Sequence, residues 1–197
     1  MSVIRRFLAL GALSFLISVP AGLAQSSMSQ SDPATAGTMN TMGKSSSSLT
    51  LADKKFMKEA AQGGEMEVQL GQLALKNSSN QEVREFAQRM ITDHSKANEQ
   101  LAQVAAKDNV TLPSQPGAKE KATRAMLSKL TGEKFDKAYM KDMVKDHKAD
   151  IAAFQQESNF GHANVKSFAS DTLPTLQSHL QQAEQVNSGE MQQSSMK

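Results

Sequence analysis

The chain has 197 residues, a formal net charge of +2, no cysteine, no tryptophan and a single tyrosine. The lack of cysteine excludes disulfides, thiolate metal ligands, a cysteine nucleophile and a cysteine-attached lipid. The nearly balanced charge, with no basic stripe and no aromatic platform, excludes a nucleic-acid footprint.

Valine, isoleucine and aromatics are sparse, while alanine, glutamine, lysine, methionine, leucine and glutamate abound, so the composition favours helix over strand. The length suits one domain plus tails. Residues 1–24 read as a secretory signal: Arg5 and Arg6 precede the apolar run Phe7 to Val19, and Gly22-Leu23-Ala24 offers small residues for cleavage before Gln25. That run is short of the ~20 residues a membrane span needs. Removing the segment leaves 20 basic and 20 acidic residues, a net charge of zero. The mature protein is then periplasmic or secreted, with no transmembrane anchor. Residues 25–48 and 188–197 are rich in small and polar residues and read as a disordered linker and tail. Methionines there, Met28, Met39, Met42, Met191 and Met196, are soft copper ligands in principle and compositional drift in the plainer reading.

Residues 49–187 form the folded domain. Thr50 with Asp53 resembles a capping box, which starts helix one near Leu51; it ends near Lys76. Ser79 with Glu82 offers a second box, so helix two runs from about Gln81 to Asp108. Pro113, Pro116 and Gly117 break the chain. A short amphipathic helix over 118–130 carries Met126, Leu127 and Leu130 and ends at Gly132. Helix three spans about Glu133 to Ser158, a turn follows around Gly161, and helix four spans about Asn164 to Asn187 with Pro174 inside it. The segments 86–98 and 139–151 share an aromatic, a methionine and an Asp-His pair, as a two-helix unit used twice would.

Two short connections and one of about 24 residues, between helices two and three, predict an all-α, ferritin-like four-helix bundle with helices two and three parallel. Spacings of three and four trace one apolar seam per helix: Phe56, Ala60, Gly63, Glu67, Leu70, Ala74; Val83, Ala87, Met90, His94, Ala97, Leu101, Val104; Met140, Val144, His147, Ile151, Phe154; and Val165, Ala169, Thr172, Leu176, His179, Ala183, Val186. Each seam carries one metal-capable group: Glu67, His94, His147 or His179. Their places along the helices allow a common layer. One carboxylate and three imidazoles suit a divalent transition metal such as iron, zinc, manganese or copper. Asp93 and Asp146, each one residue before its histidine, turn about 100° toward a neighbouring helix, where they can orient a ring N–H. A metal-free hydrogen-bonded core satisfies the same four groups and stands as the alternative. Glu65 lies off the stripe and faces solvent, and His162 falls in a turn. Gly63, Gly64 and Gly71 permit close helix approach.

The stretches FMKEAAQGGEMEVQLGQLALKNSSNQEVREFAQRMITDHSKANEQLAQVA, FDKAYMKDMVKDH and LPTLQSHLQQA resemble the exported bacterial proteins of domain-of-unknown-function family 4142, over about residues 50–187. The resemblance implies a ferritin-like bundle outside the cytoplasm, and its motif positions here are Glu67, Asp93, His94, Asp146, His147, Pro174 and His179. It implies no settled activity. Di-iron ferritins use Glu-x-x-His, but Ile91 and Val144 stand three residues before His94 and His147, so ferroxidase activity does not follow from the fold. The expectation is therefore a metal-binding or stress-related bundle protein. The alternatives are a metal-dependent redox enzyme and a structural or interaction module. Partner proteins, and whether the chain forms a homodimer, are left open.

Overall fold

The structure is a computed structural model that describes residues 48–189. The expected signal segment, most of the expected linker and most of the expected tail lie outside these residues, although Ser188, placed in the tail by sequence, ends the last helix. Five helices follow in order: α1 (Leu51–Asn77), α2 (Gln81–Lys107), α3 (Ala118–Leu127), α4 (Gly132–Phe160) and α5 (Ala163–Ser188). Among the described residues there is no strand, and no helix is long and apolar enough to cross a membrane.

The first two helices start where a side chain can satisfy free backbone N–H groups. At α1 the Thr50 hydroxyl accepts from the Asp53 N–H, and Asp53 Oδ2 accepts in return from the Thr50 N–H at 2.6 Å. At α2 the cap is Asn80, not Ser79: Asn80 Oδ1 accepts from the N–H groups of Glu82 and Val83. An asparagine directly before the first turn outcompetes a serine one residue further out. The crossover helix ends at Leu127, five residues before Gly132. Gly132 instead opens α4 with φ +58°, a conformation glycine adopts without strain. Leu127 is fully buried and Leu130 packs on the core, whereas Met126 is exposed.

Side-chain pairs give the helix directions. Gly64 faces Asn98 and Gly71 faces Ile91, so α1 and α2 are antiparallel. Phe56 meets Phe154 and Glu67 approaches His147, so α1 and α4 are antiparallel. Phe154 meets Phe168 while His147 meets His179, so α4 and α5 are antiparallel. Asn164 bonds Asp108 and His179 bonds Asp93, so α2 and α5 are antiparallel. It follows that α2 and α4 are parallel and sit diagonally, as the long connection requires. That connection returns the chain along the bundle: α3 packs on α1 and α4, and Asn77 Nδ2 donates to the Leu130 carbonyl at its far end.

The directions also correct the two-helix repeat. The matching Asp-His segments lie on α2 and α4, the second helix of one hairpin and the first of the other. A hairpin used twice would instead match α1 with α4.

Every seam residue is buried or half-buried, and the core divides into two apolar clusters flanking the middle of the bundle. One holds Leu70, Phe86, Met90, Phe135, Tyr139 and Met143; the other holds Phe56, Leu101, Phe154, Val165 and Phe168. Gly71 lets α1 approach α2 closely, since a Cβ there would lie 2.8 Å from Ile91 Cγ1 and 2.9 Å from the Ala87 carbonyl oxygen.

At the end of the bundle where α1 begins, Asp53 ties three helices together. Its Oδ1 accepts from the His162 N–H at 2.9 Å, and Glu157 of α4 lies against it. Burial opposes ionisation of Asp53, but the His162 N–H, Thr50 and Glu157 outweigh it and hold the carboxyl down to about 2. Burial and the neighbouring Asp53 charge push Glu157 up to about 7. Between its ordinary value of 4.5 and about 7, folded Glu157 keeps a proton that the unfolded chain has lost. Stability therefore falls as pH rises through that window. Glu157→Gln keeps the size and shape of the side chain and cannot ionise. Its thermal midpoint should match wild type near pH 4.5 and exceed it by a growing margin up to pH 7. A constant difference across that range counts against the carboxyl pair.

Candidate metal centre

Between the two apolar clusters lies a polar layer, with Glu67 from α1, His94 from α2, His147 from α4 and His179 from α5, all buried. Each occupies a seam position, so helix packing alone delivers it to the bundle axis. One ring nitrogen from each of His94, His147 and His179 lies within 4.8 Å of the other two.

The outer nitrogen of every ring is held by an oxygen. His147 Nδ1 lies 2.9 Å from the Met143 carbonyl oxygen, one turn back on α4. A carbonyl can only accept, so this nitrogen carries the hydrogen. His179 Nε2 lies 2.8 Å from Asp93 Oδ2 on α2. Burial opposes the Asp93 charge, but the His179 N–H and Arg89 hold that carboxyl below the usual carboxylate range. Asp93 therefore accepts and His179 Nε2 donates. Arg89 fixes Asp93 in turn: its Nε lies 3.3 Å from Asp93 Oδ2, while its other nitrogens donate to Ser178 and Gln182 of α5. His94 Nδ1 lies 2.8 Å from Glu67 Oε2.

These partners leave the inner nitrogens, His147 Nε2 and His179 Nδ1, as lone pairs facing each other at 3.4 Å. No hydrogen lies between them while both rings are neutral. Burial lowers the basicity of all three rings, to about 4 for His94 and His179, so they are neutral at pH 7. His94 Nε2 is buried and has no hydrogen-bond partner, as is Glu67 Oε1. Burial pushes the Glu67 carboxyl itself up to about 7. The two facing lone pairs, with these unpartnered atoms beside them, cost free energy that a bound cation would offset.

The structure thus brings together the four seam residues, with different parts for them. Glu67 sits on the outer edge of His94 with one oxygen, rather than among the converging nitrogens. Asp93 reaches a histidine on the neighbouring helix. Asp146 bonds no histidine; it turns to the cleft between α1, α3 and α4, where its ion-pair partner is Lys145 at 3.8 Å. The asymmetry follows from the parallel, diagonal placement of α2 and α4. The same one-residue rotation carries Asp93 toward α5, whose layer residue is His179, and Asp146 toward α1, whose layer residue is the carboxylate Glu67. Glu65 is half-buried and bonds Gln69. His162 is half-buried, gives its backbone N–H to Asp53 and takes no part in the layer.

Sequence reasoning missed Arg89, Asp150 and the Met143 carbonyl. Arg89 was findable from its i,i+4 spacing to Asp93. Asp150 stands one turn beyond Asp146, and its carboxyl is pushed up by burial and by the Glu67 charge. It lines a small cavity of about 30 Å³ beside His94, together with Gly63, Gly64 and Asn98. That space is water-sized.

The fold and this layer define a class: an all-helical bundle with a buried histidine cluster. The sequence model of the family described as "Domain of unknown function (DUF4142)" matches residues 24–186, and the chain belongs to that family. Two solved structures share its fold. The crystal structure of a DUF305 fragment from Deinococcus radiodurans has a TM-score of 0.64 at 18% identity, over 72% of this chain and 98% of that one. The structure of CopM in the Cu(II)-bound form has a TM-score of 0.56 at 12% identity, over 70% of this chain and 96% of that one. At these identities the likeness is one of helical-bundle fold. No curated protein matches the chain.

Proposed function

We propose that this is an exported metal-binding bundle protein in which His94, His147 and His179 hold one divalent transition-metal ion. The observation that carries the reading is the pair of lone-pair nitrogens facing at 3.4 Å. Two imidazole nitrogens bound to one ion at ~2.0–2.1 Å in tetrahedral geometry stand about 3.4 Å apart. Each ring also gives its outer N–H to a carboxylate or carbonyl, the usual support of a metal-bound histidine. Three neutral imidazoles favour copper or zinc, and iron next, over manganese. Glu67 and Asp93 then act as orienting groups that balance the added charge. The fold shared with a protein described in a Cu(II)-bound form supports the same chemistry. The signal-like residues 1–24 support export, and mature protein should begin near Gln25.

The water-sized cavity beside His94 leaves room for a solvent ligand but not for an organic substrate. This favours binding over chemistry on a larger molecule. It keeps a redox reaction on a small oxygen species as the second reading.

The test is titration of the apoprotein with copper(II) and zinc(II) under competition from a chelating indicator. One equivalent should bind. Asp93→Asn can still accept from His179 but lacks the charge, and affinity should fall about 10–100-fold. Wild-type affinity in that variant would remove Asp93 from the account. Failure of wild type to bind any metal would leave a metal-free polar core.

A further inference from the structure

A cleft of about 330 Å³ opens between α1, α4 and the crossover helix α3. Five acidic side chains line it, Glu59, Glu67, Glu120, Asp146 and Asp150, against the single basic one, Lys119. Asp146 and Asp150 are four apart and share a face of α4. The smaller cavity beside His94 is lined by three of the same residues, Gly63, Glu67 and Asp150, which form a wall common to the two spaces. At this junction two nearly buried side chains carry unpaired atoms. Glu67, 4% exposed, has a free Oε1, and His94, 6% exposed, has a free Nε2. A carboxyl oxygen whose nearest donor, His147 Nδ1, stands 3.5 Å away, and an unpartnered imidazole nitrogen, at the inner end of an acidic cleft, make a recipient for a cation.

We propose that this cleft is the route by which a divalent metal ion reaches the histidine cluster, with Asp146 and Asp150 passing it to Glu67 and then to His94. The proposal rests on the three-histidine reading. It assigns Asp146 and Asp150 a transit part that the final site does not need. The ion enters with part of its water shell, which successive carboxylates replace. Glu67 is the hinge of the route: its unpartnered Oε1 takes the incoming ion, while Oε2 lies 2.8 Å from His94 Nδ1. Lys119 at the mouth opposes entry and sets its rate. Gly63 keeps the junction clear, since a Cβ there would meet no atom within 4 Å.

The test is stopped-flow mixing of the full-length mature apoprotein with cobalt(II) chloride at low ionic strength, followed by the ligand-field absorption of the histidine-bound ion. Gly63→Leu fills the junction and adds helix propensity. It should slow association about tenfold while reaching the wild-type final absorbance. Asp146→Asn should slow it by a similar factor, within the range electrostatic steering spans. Lys119→Met should accelerate it several-fold. The Asp146 and Lys119 effects should shrink in 1 M salt, where the screening length is about 3 Å, while the Gly63 block should persist. Melting curves of each variant verify the fold. If wild type binds cobalt and both slow variants load at its rate, the route is wrong and the histidine site stands. If wild type takes up no metal ion, both fall.

Discussion

His147→Ala should abolish stoichiometric metal binding and, with it, every metal-dependent gain in stability. His147 is fully buried at the centre of the layer, and its two nitrogens join the Met143 carbonyl to His179. For wild type loaded at a thousand times Kd, binding to the folded state alone adds about 4 kcal/mol. That should move the thermal midpoint by roughly 10 °C or more for a domain of this size. The variant should melt at one temperature with or without metal. Its metal-free form should itself lose about 1–3 kcal/mol, because the Met143 carbonyl loses a buried donor. A metal-free core predicts that second loss and no metal-dependent term in either protein. Calorimetry of both proteins, with ion and with chelator, separates the two cases.

Phe86→Ala should be among the most destabilising single changes. Phe86 is fully buried and packs edge-on against both Tyr139 at 6.1 Å and His179 at 6.5 Å between centroids. Truncating a core phenylalanine costs about 3–5 kcal/mol, depending on how far the site collapses. Here collapse also frees the face of His179 from its support, so metal affinity should fall although no ligand has changed. Urea unfolding of the metal-free variant gives the first quantity and metal titration the second. A loss under 1 kcal/mol would show that the helices close the gap and that His179 is held by Asp93 alone.

Much of this arrangement was legible in the sequence because the signals were periodic. Four long seams, a capping box at Thr50 and one long connection determine a bundle with α2 and α4 parallel, and they place one polar group per helix in a single layer. Phe86 escaped the seam because the apolar face of α2 is wider than a strict three-four stripe. The division of labour within the layer was not legible. Whether Glu67 faces the converging nitrogens or the back of His94 depends on rotations of tens of degrees that spacing does not resolve. Asp93 and Asp146 look equivalent in sequence. They differ because their neighbours on adjoining helices, His179 and Glu67, are a donor and a fellow carboxylate. The Ser79 box lost to Asn80 for a similar reason: two capping patterns overlapped by one residue, and only the backbone path chooses between them.

X-ray absorption at the metal edge, on protein loaded with one equivalent of copper(II) or zinc(II) and then desalted, tests the central claim most directly. The account predicts a retained ion with three imidazole nitrogens at ~2.0–2.1 Å and the outer-ring scattering of histidine. Any further light atom in the shell should be solvent, since Glu67 and Asp93 hold the outer edges of His94 and His179. An ion lost on desalting, or one retained in a shell of oxygens without imidazole scattering, would contradict it.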